Sequence, residues 1–227
     1  MKPEDALAAL PIAPPPISTE LEAELARIEP VATRRPARQL AIVVAASLAY
    51  AGALLALLGL RADHDELPVA WIVAAAGAWL VGFVAPCYVV LVPRAGAVTP
   101  RWRIAALCAL AGSLAFVALG LAVHPDGAHS LHYNAEHFMR GHWCMWLGLA
   151  TALVPVALGA LFLRGAVPVR SRWIAAALGA AGGALGGLLL HFHCRIADGL
   201  HVGLIHGGVV GVAALLAAAL VPRATER

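Results

Sequence analysis

Residues 40–60 read LAIVVAASLAYAGALLALLGL, 21 positions without one Asp, Glu, Lys or Arg. At 1.5 Å of rise per residue a helix of this length covers about 31 Å, the thickness of a bilayer's hydrocarbon core. Working outward, five further apolar runs follow, at 68–92, 102–123, 143–163, 173–191 and about 200–221. Short polar breaks separate them, punctuated by turn residues such as Pro93, Pro100, Pro125, Gly127 and Pro168. The whole chain agrees with its parts. Of 227 residues 61% are hydrophobic and only 13% charged, against about 25% in a soluble domain, and mean hydropathy is +0.82. Such a chain has too little polar surface to fold in water. The aromatic content of 6% and the wealth of Ala, Leu, Gly and Val fit packed membrane helices rather than a β-barrel. The fold class expected is all-α: a polytopic, six-helix transmembrane bundle over residues 40–222, with a short N-terminal tail (1–39) and a short C-terminal one (223–227). A net charge of +3 makes no case for direct binding to nucleic acid.

An even number of spans leaves both termini on one side. Of the 16 Lys and Arg, all but Arg61, Arg140 and Arg195 fall on that side. The positive-inside rule therefore predicts that both termini are cytoplasmic. Trp71, Trp102, Trp143, Trp146 and Trp173 sit near span ends, as interfacial anchors do; Trp79 does not. The polar, Pro-rich first 39 residues do not read as a secretory signal peptide. Gly179, Gly183 and Gly187 repeat at four-residue spacing in the fifth span, as do Gly203, Gly207 and Gly211 in the sixth. Two such stripes predict close packing of these neighbouring helices on each other, with a homodimer seam as the other option.

The tail carries one amphipathic segment, expected as a helix over residues 19–29. Thr19 with Glu22 fits a capping box, Glu20, Glu22 and Glu24 suit the helix N-terminus, and Pro30 ends it. Leu21, Leu25 and Ile28 share one face at i, i+4, i+7. Alone in water so short a helix is marginal. Its apolar face calls either for a partner groove or for the protein's own loops.

The chemistry-bearing residues are asymmetric. All ten histidines fall in the half away from the termini: His64 in the first outer loop, His124, His129, His132, His137 and His142 in or beside the second, and His191, His193, His201 and His206 around the third. Cys144 opens the fourth span and Cys194 closes the fifth, whereas Cys87 and Cys108 lie toward the other end as core thiols. Three readings of the outer cysteines stand side by side: a disulfide; a transition-metal site with His142, His191 and His193 joining Cys144 and Cys194; or inert packing at helix ends.

The stretch from Trp143-Cys144 through Leu161-Phe162-Leu163-Arg164-Gly165-Ala166-Val167-Pro168 and the Gly/Ala-rich fifth span to Leu190-His191-Phe192-His193-Cys194 resembles the six-span anti-sigma proteins of the negative-regulator-of-sigma-F (NrsF) family. The His193-Cys194 pair is the most specific element. The resemblance implies a protein that holds an extracytoplasmic-function sigma factor at the inner membrane until a signal arrives. It further implies that the tail binds sigma and that Cys144 and Cys194 are periplasmic sensors. No hydrolase motif competes, and the span centres lack the ionisable residues of a transporter. The expectation is a regulatory binding protein and not an enzyme. A membrane redox or metal protein holding haem or copper through the outer histidines is the second reading.

Overall fold

The computed structural model describes residues 18–27, 34–93, 96, 98–122, 135–164, 170–196 and 198–225. They form seven α-helices, and among the described residues there is no strand. The chain divides into two units, 1–34 and 35–227.

The first unit contains α1 (Thr19–Arg27). Its N-terminus is capped one residue earlier than the Thr19 capping box predicts. The Ser18 hydroxyl accepts the Leu21 N–H at 3.2 Å, so Ser18 takes the cap position and Thr19 becomes the first helical residue. Leu21 and Leu25 are exposed on this helix. Ile28, the third member of the expected face, lies outside the described residues, as do the last two positions of the predicted helix.

The second unit holds α2 (Pro36–Leu58), α3 (Val69–Leu91), α4 (Arg101–Ala122), α5 (Ala135–Leu163), α6 (Ser171–His193) and α7 (Gly208–Thr225), the last continuing a π-helical turn, His201–Gly207. Six segments are long and apolar enough to cross a membrane, matching the six predicted runs. The ends shift where local chemistry allows. Pro36, with its pre-set φ and missing N–H, starts α2 four residues ahead of the apolar run. Gly59, at φ +84°, stops it. α5 begins eight residues ahead of its apolar run, which takes His142 into the helix.

α6 is the centre of the bundle. It packs against all five other spans, and 89% of its membrane window is buried, against 17% for α2. Small residues allow this. A Cβ on Gly183 would lie 2.5 Å from the Val210 Cα, and Gly179 abuts the Ala213 carbonyl, so this part of the stripe meets α7 as expected. The rest does not. Gly187 accommodates the Trp79 ring from α3, which is why that tryptophan lies mid-span rather than at an interface; it also stacks on Phe116 at 3.9 Å. Gly182 and Gly186 meet Ala152 and Gly148 on α5. The stripe of the last span faces α4 instead of α6: Gly203 meets Gly120 and Leu121, Gly207 meets the Phe116 carbonyl, and Gly211 meets Ser113. Both stripes are thus used inside one chain. Each helix has more than one crowded neighbour, so a single pairing of the stripes was too simple.

Candidate thiol and metal site at one end of the bundle

Three chain segments meet at the end of the bundle where α5 and the last helix begin and α6 stops. On α5, Gly141, Cys144 and Gly148 lie at i, i+3, i+7 and so share one face. Gly141 leaves room for Ile205 and His201 of the π turn, and Gly148 for Val209 and Leu190. Glycine on either side thereby draws Cys144 against the other two segments.

Cys194 is the residue at which α6 ends. Its N–H still bonds to the Leu190 carbonyl at 2.8 Å while its own backbone is extended. The loop after α2 clasps this terminus. Arg61 donates its backbone N–H to the Phe192 carbonyl at 2.8 Å. Its guanidinium reaches the carbonyls of His191 and Arg195, both at 3.4 Å. The Asp63 carboxylate holds that guanidinium in a two-point bond, 2.8 Å at each oxygen. A cation against the last carbonyls of a helix complements its dipole. The same guanidinium holds the Asp63 carboxyl below its ordinary value.

The last span begins with Asp198 as its cap, the carboxylate accepting the His201 N–H at 2.9 Å. The backbone then runs as a π-helix through His201–Gly207. On an α-helix residues five apart sit about 140° apart around the axis. A π turn, bonded i to i+5, stacks them. His201 and His206 therefore point the same way, with ring centroids 5.0 Å apart in a T-shaped arrangement.

The result is a set of four side chains, Cys144, Cys194, His201 and His206, whose ligand atoms all lie within 4.8 Å of one another. The two sulfurs are 3.7 Å apart, and the Cys194 Sγ is 3.5 Å from His201 Nε2. Cys194, His201 and His206 are buried and Cys144 is half-buried. The His206 Nε2 atom is enclosed and has no hydrogen-bond partner among the described residues. Chemically the set can do two things. The free sulfurs are close enough to join after a modest approach, and the four donors could hold a metal ion.

The structure brings together Cys144 and Cys194 from the predicted set but leaves out its three histidines. His142 is exposed on α5. His191 faces α3, its Nε2 on the Ile72 carbonyl at 3.2 Å and its ring 4.8 Å from Trp71. His193 turns to the Gly59 carbonyl, 2.9 Å from Nδ1. The last two turn toward α3 and the clasp, away from the side of α6 that meets α5 and the π turn. His201 and His206 take their place; they were visible only as two of the outer histidines, because their spacing of five suggests opposite helix faces. His124, His129 and His132 lie outside the described residues. Of the other two cysteines, Cys87 is fully buried and Cys108 half-buried.

Comparison with known proteins adds one finding. Residues 25–226 match the family model described as NrsF: Negative regulator of sigma F. No curated protein and no solved structure matches the chain.

Proposed function

The chain belongs to the NrsF family of negative regulators of sigma F, and from that premise we propose that it is a membrane-bound anti-sigma factor with input and output at opposite faces of an inner membrane. The partner is an extracytoplasmic-function sigma factor. The tail supplies its docking element, with Leu21, Leu25 and Ile28 as the face laid into a groove on sigma. Both termini are cytoplasmic, and the Cys144–Cys194 end is periplasmic. The input is a redox or metal event at the two thiols. A two-electron oxidant would join the sulfurs with loss of two protons; a metal would replace the same protons. Either event changes how α5, α6 and the last helix meet, lowers the tail's affinity for sigma and releases it. A tenfold fall in affinity needs only about 1.4 kcal/mol of differential binding. On this reading the protein is a binding regulator and performs no catalysis.

The observation that carries the reading is the family match, which runs from within the tail helix to the end of the last span. An apolar tail face and a close thiol pair at one end of the bundle support it. The decisive experiment is capture of the sigma factor by membranes holding the full chain. Leu25→Asp is expected to release sigma with membrane levels unchanged; undiminished capture after deletion of residues 1–35 would refute the tail's role. Cys144→Ser and Cys194→Ser are expected to lock the output in one state, while Cys87→Ser and Cys108→Ser leave it responsive. Reporter fusions after Arg227 and within residues 124–142 should report opposite compartments.

A further inference from the structure

We propose that Cys144, Cys194, His201 and His206 form one closed, tetrahedral site for a thiophilic divalent cation of the zinc type. This deepens the regulator reading by naming the ligand of its input site, and rests on that reading only for its consequence.

Four observations carry it. The first is donor chemistry. Two thiolates and two imidazoles are the set that tetrahedral zinc takes in closed sites. The second is distance. With metal bonds of about 2.0–2.3 Å, the edges of a tetrahedron measure roughly 3.3–3.8 Å. The sulfur pair at 3.7 Å and the sulfur–nitrogen pair at 3.5 Å already have such lengths. The remaining pairs lie within 4.8 Å and need only a small contraction. The third is His206, a member of that set, whose Nε2 atom is enclosed without a hydrogen-bond partner among the described residues. A buried polar atom left so costs about 1–3 kcal/mol; a metal bond would satisfy it. The fourth is the backbone. The π turn is the local irregularity that brings two histidines five residues apart onto one side, and such turns recur at functional sites.

Charge selects the ion. On binding, the two thiols lose two protons and the imidazoles stay neutral, so a divalent cation gives a neutral centre. A monovalent cation such as Cu(I) would leave one negative charge at a largely buried site, where an uncompensated charge is costly. The half-buried Cys144 is the route by which an ion enters. Metal and disulfide exclude each other, since both use the same two sulfurs. The bound ion would tie α5, α6 and the last span together; an oxidant that joins the sulfurs would expel it.

The test uses the full-length protein, reduced and purified in detergent, with Co(II) as the probe. One Co(II) per chain is expected, with the intense visible bands of tetrahedral cobalt and a thiolate charge-transfer band in the near ultraviolet, both abolished by Zn(II). His206→Ala and His201→Ala should each weaken binding by at least about tenfold, and His142→Ala should leave it unchanged. In the unaltered protein, Zn(II) should protect Cys144 and Cys194 from maleimide and leave Cys108 labelling as it was, a readout that does not depend on any variant folding. A weak octahedral cobalt spectrum, binding indifferent to His206→Ala, or no protection would each overturn the site, and Cu(I) binding tighter than Zn(II) would overturn the charge argument. Sigma factor is absent throughout. Failure here with sigma capture intact would remove only the metal site; metal binding with no sigma capture would remove the regulator reading instead.

Discussion

α2 and α6 are equally long, at 23 residues each, and both are apolar enough to span a membrane. They play opposite parts. α2 is the more hydrophobic, yet only 17% of its window is buried within the protein; α6 is less hydrophobic and 89% buried. In a membrane, hydropathy measures the preference for lipid, while closeness to other helices is set by side-chain size and fit. A helix of Ala and Gly can be approached on every side, and α6 is. It is also the helix whose end carries Cys194 and receives the Arg61 clasp. A disturbance at the thiol site is therefore delivered to an element that packs against every other span.

The largest break in this comparison should come from adding bulk. Gly183→Leu on α6 would drive carbon into the Val210 backbone, where a Cβ alone would stand 2.5 Å from the Cα. It should cost about 3 kcal/mol or more and remove most of the folded protein from detergent extracts. Gly52→Leu on α2, with nothing within 4 Å of the added atom, should leave folding within about 0.5 kcal/mol. Equal losses for the two would mean that α6 is not the centre of the bundle.

A middle-sized effect is expected at the clasp. Arg61→Ala removes the guanidinium bonds to the His191 and Arg195 carbonyls and to Asp63, leaves the backbone bond to the Phe192 carbonyl in place, and should cost about 2 kcal/mol. The signature is local: faster amide exchange at residues 190–195 and faster labelling of Cys194, with α2 unaffected.

The smallest effect is the response of the clasp to acid. The Arg61 guanidinium holds the Asp63 carboxyl below its ordinary 3.8. A group depressed in the folded state stabilises fully above its unfolded value and loses that contribution as pH falls through the folded value. The unfolding midpoint of the native chain should exceed that of Asp63→Asn by a constant margin from pH 7 to 5, and the margin should close below pH 3.8. A margin that closes near pH 6 would point to a histidine instead.

How much could be read in advance differs between these regions. The spans, the tail helix and the grouping of Cys144 with Cys194 at one end of the bundle were legible, and so was the oddity of Trp79 as the one tryptophan away from a span end. Its reason was not: the notch that receives it is Gly187, on another helix. The glycine stripes predicted close approach but paired the wrong faces, since Gly203, Gly207 and Gly211 turn to α4. For the site, proximity along the chain suggested His142, His191 and His193. Each of the last two is bonded to a backbone carbonyl on a different segment, and the histidines that do converge are His201 and His206.

Hydropathy and span length are sums over neighbouring residues and owe nothing to what lies across the bundle. Residues 40–60 and the five runs after them are therefore sufficient for the six-helix class, and the placing of Lys and Arg for its expected orientation. A ligand set is a property of convergence. Cys144, Cys194 and His206 come from three segments, and the fourth member shares a direction with His206 only because the backbone takes a π turn over His201–Gly207. Helical periodicity assigns those two histidines to different faces; the close packing of Gly141 and Gly148 against that turn and its neighbours, a fact of the tertiary structure, gathers the four side chains into one site.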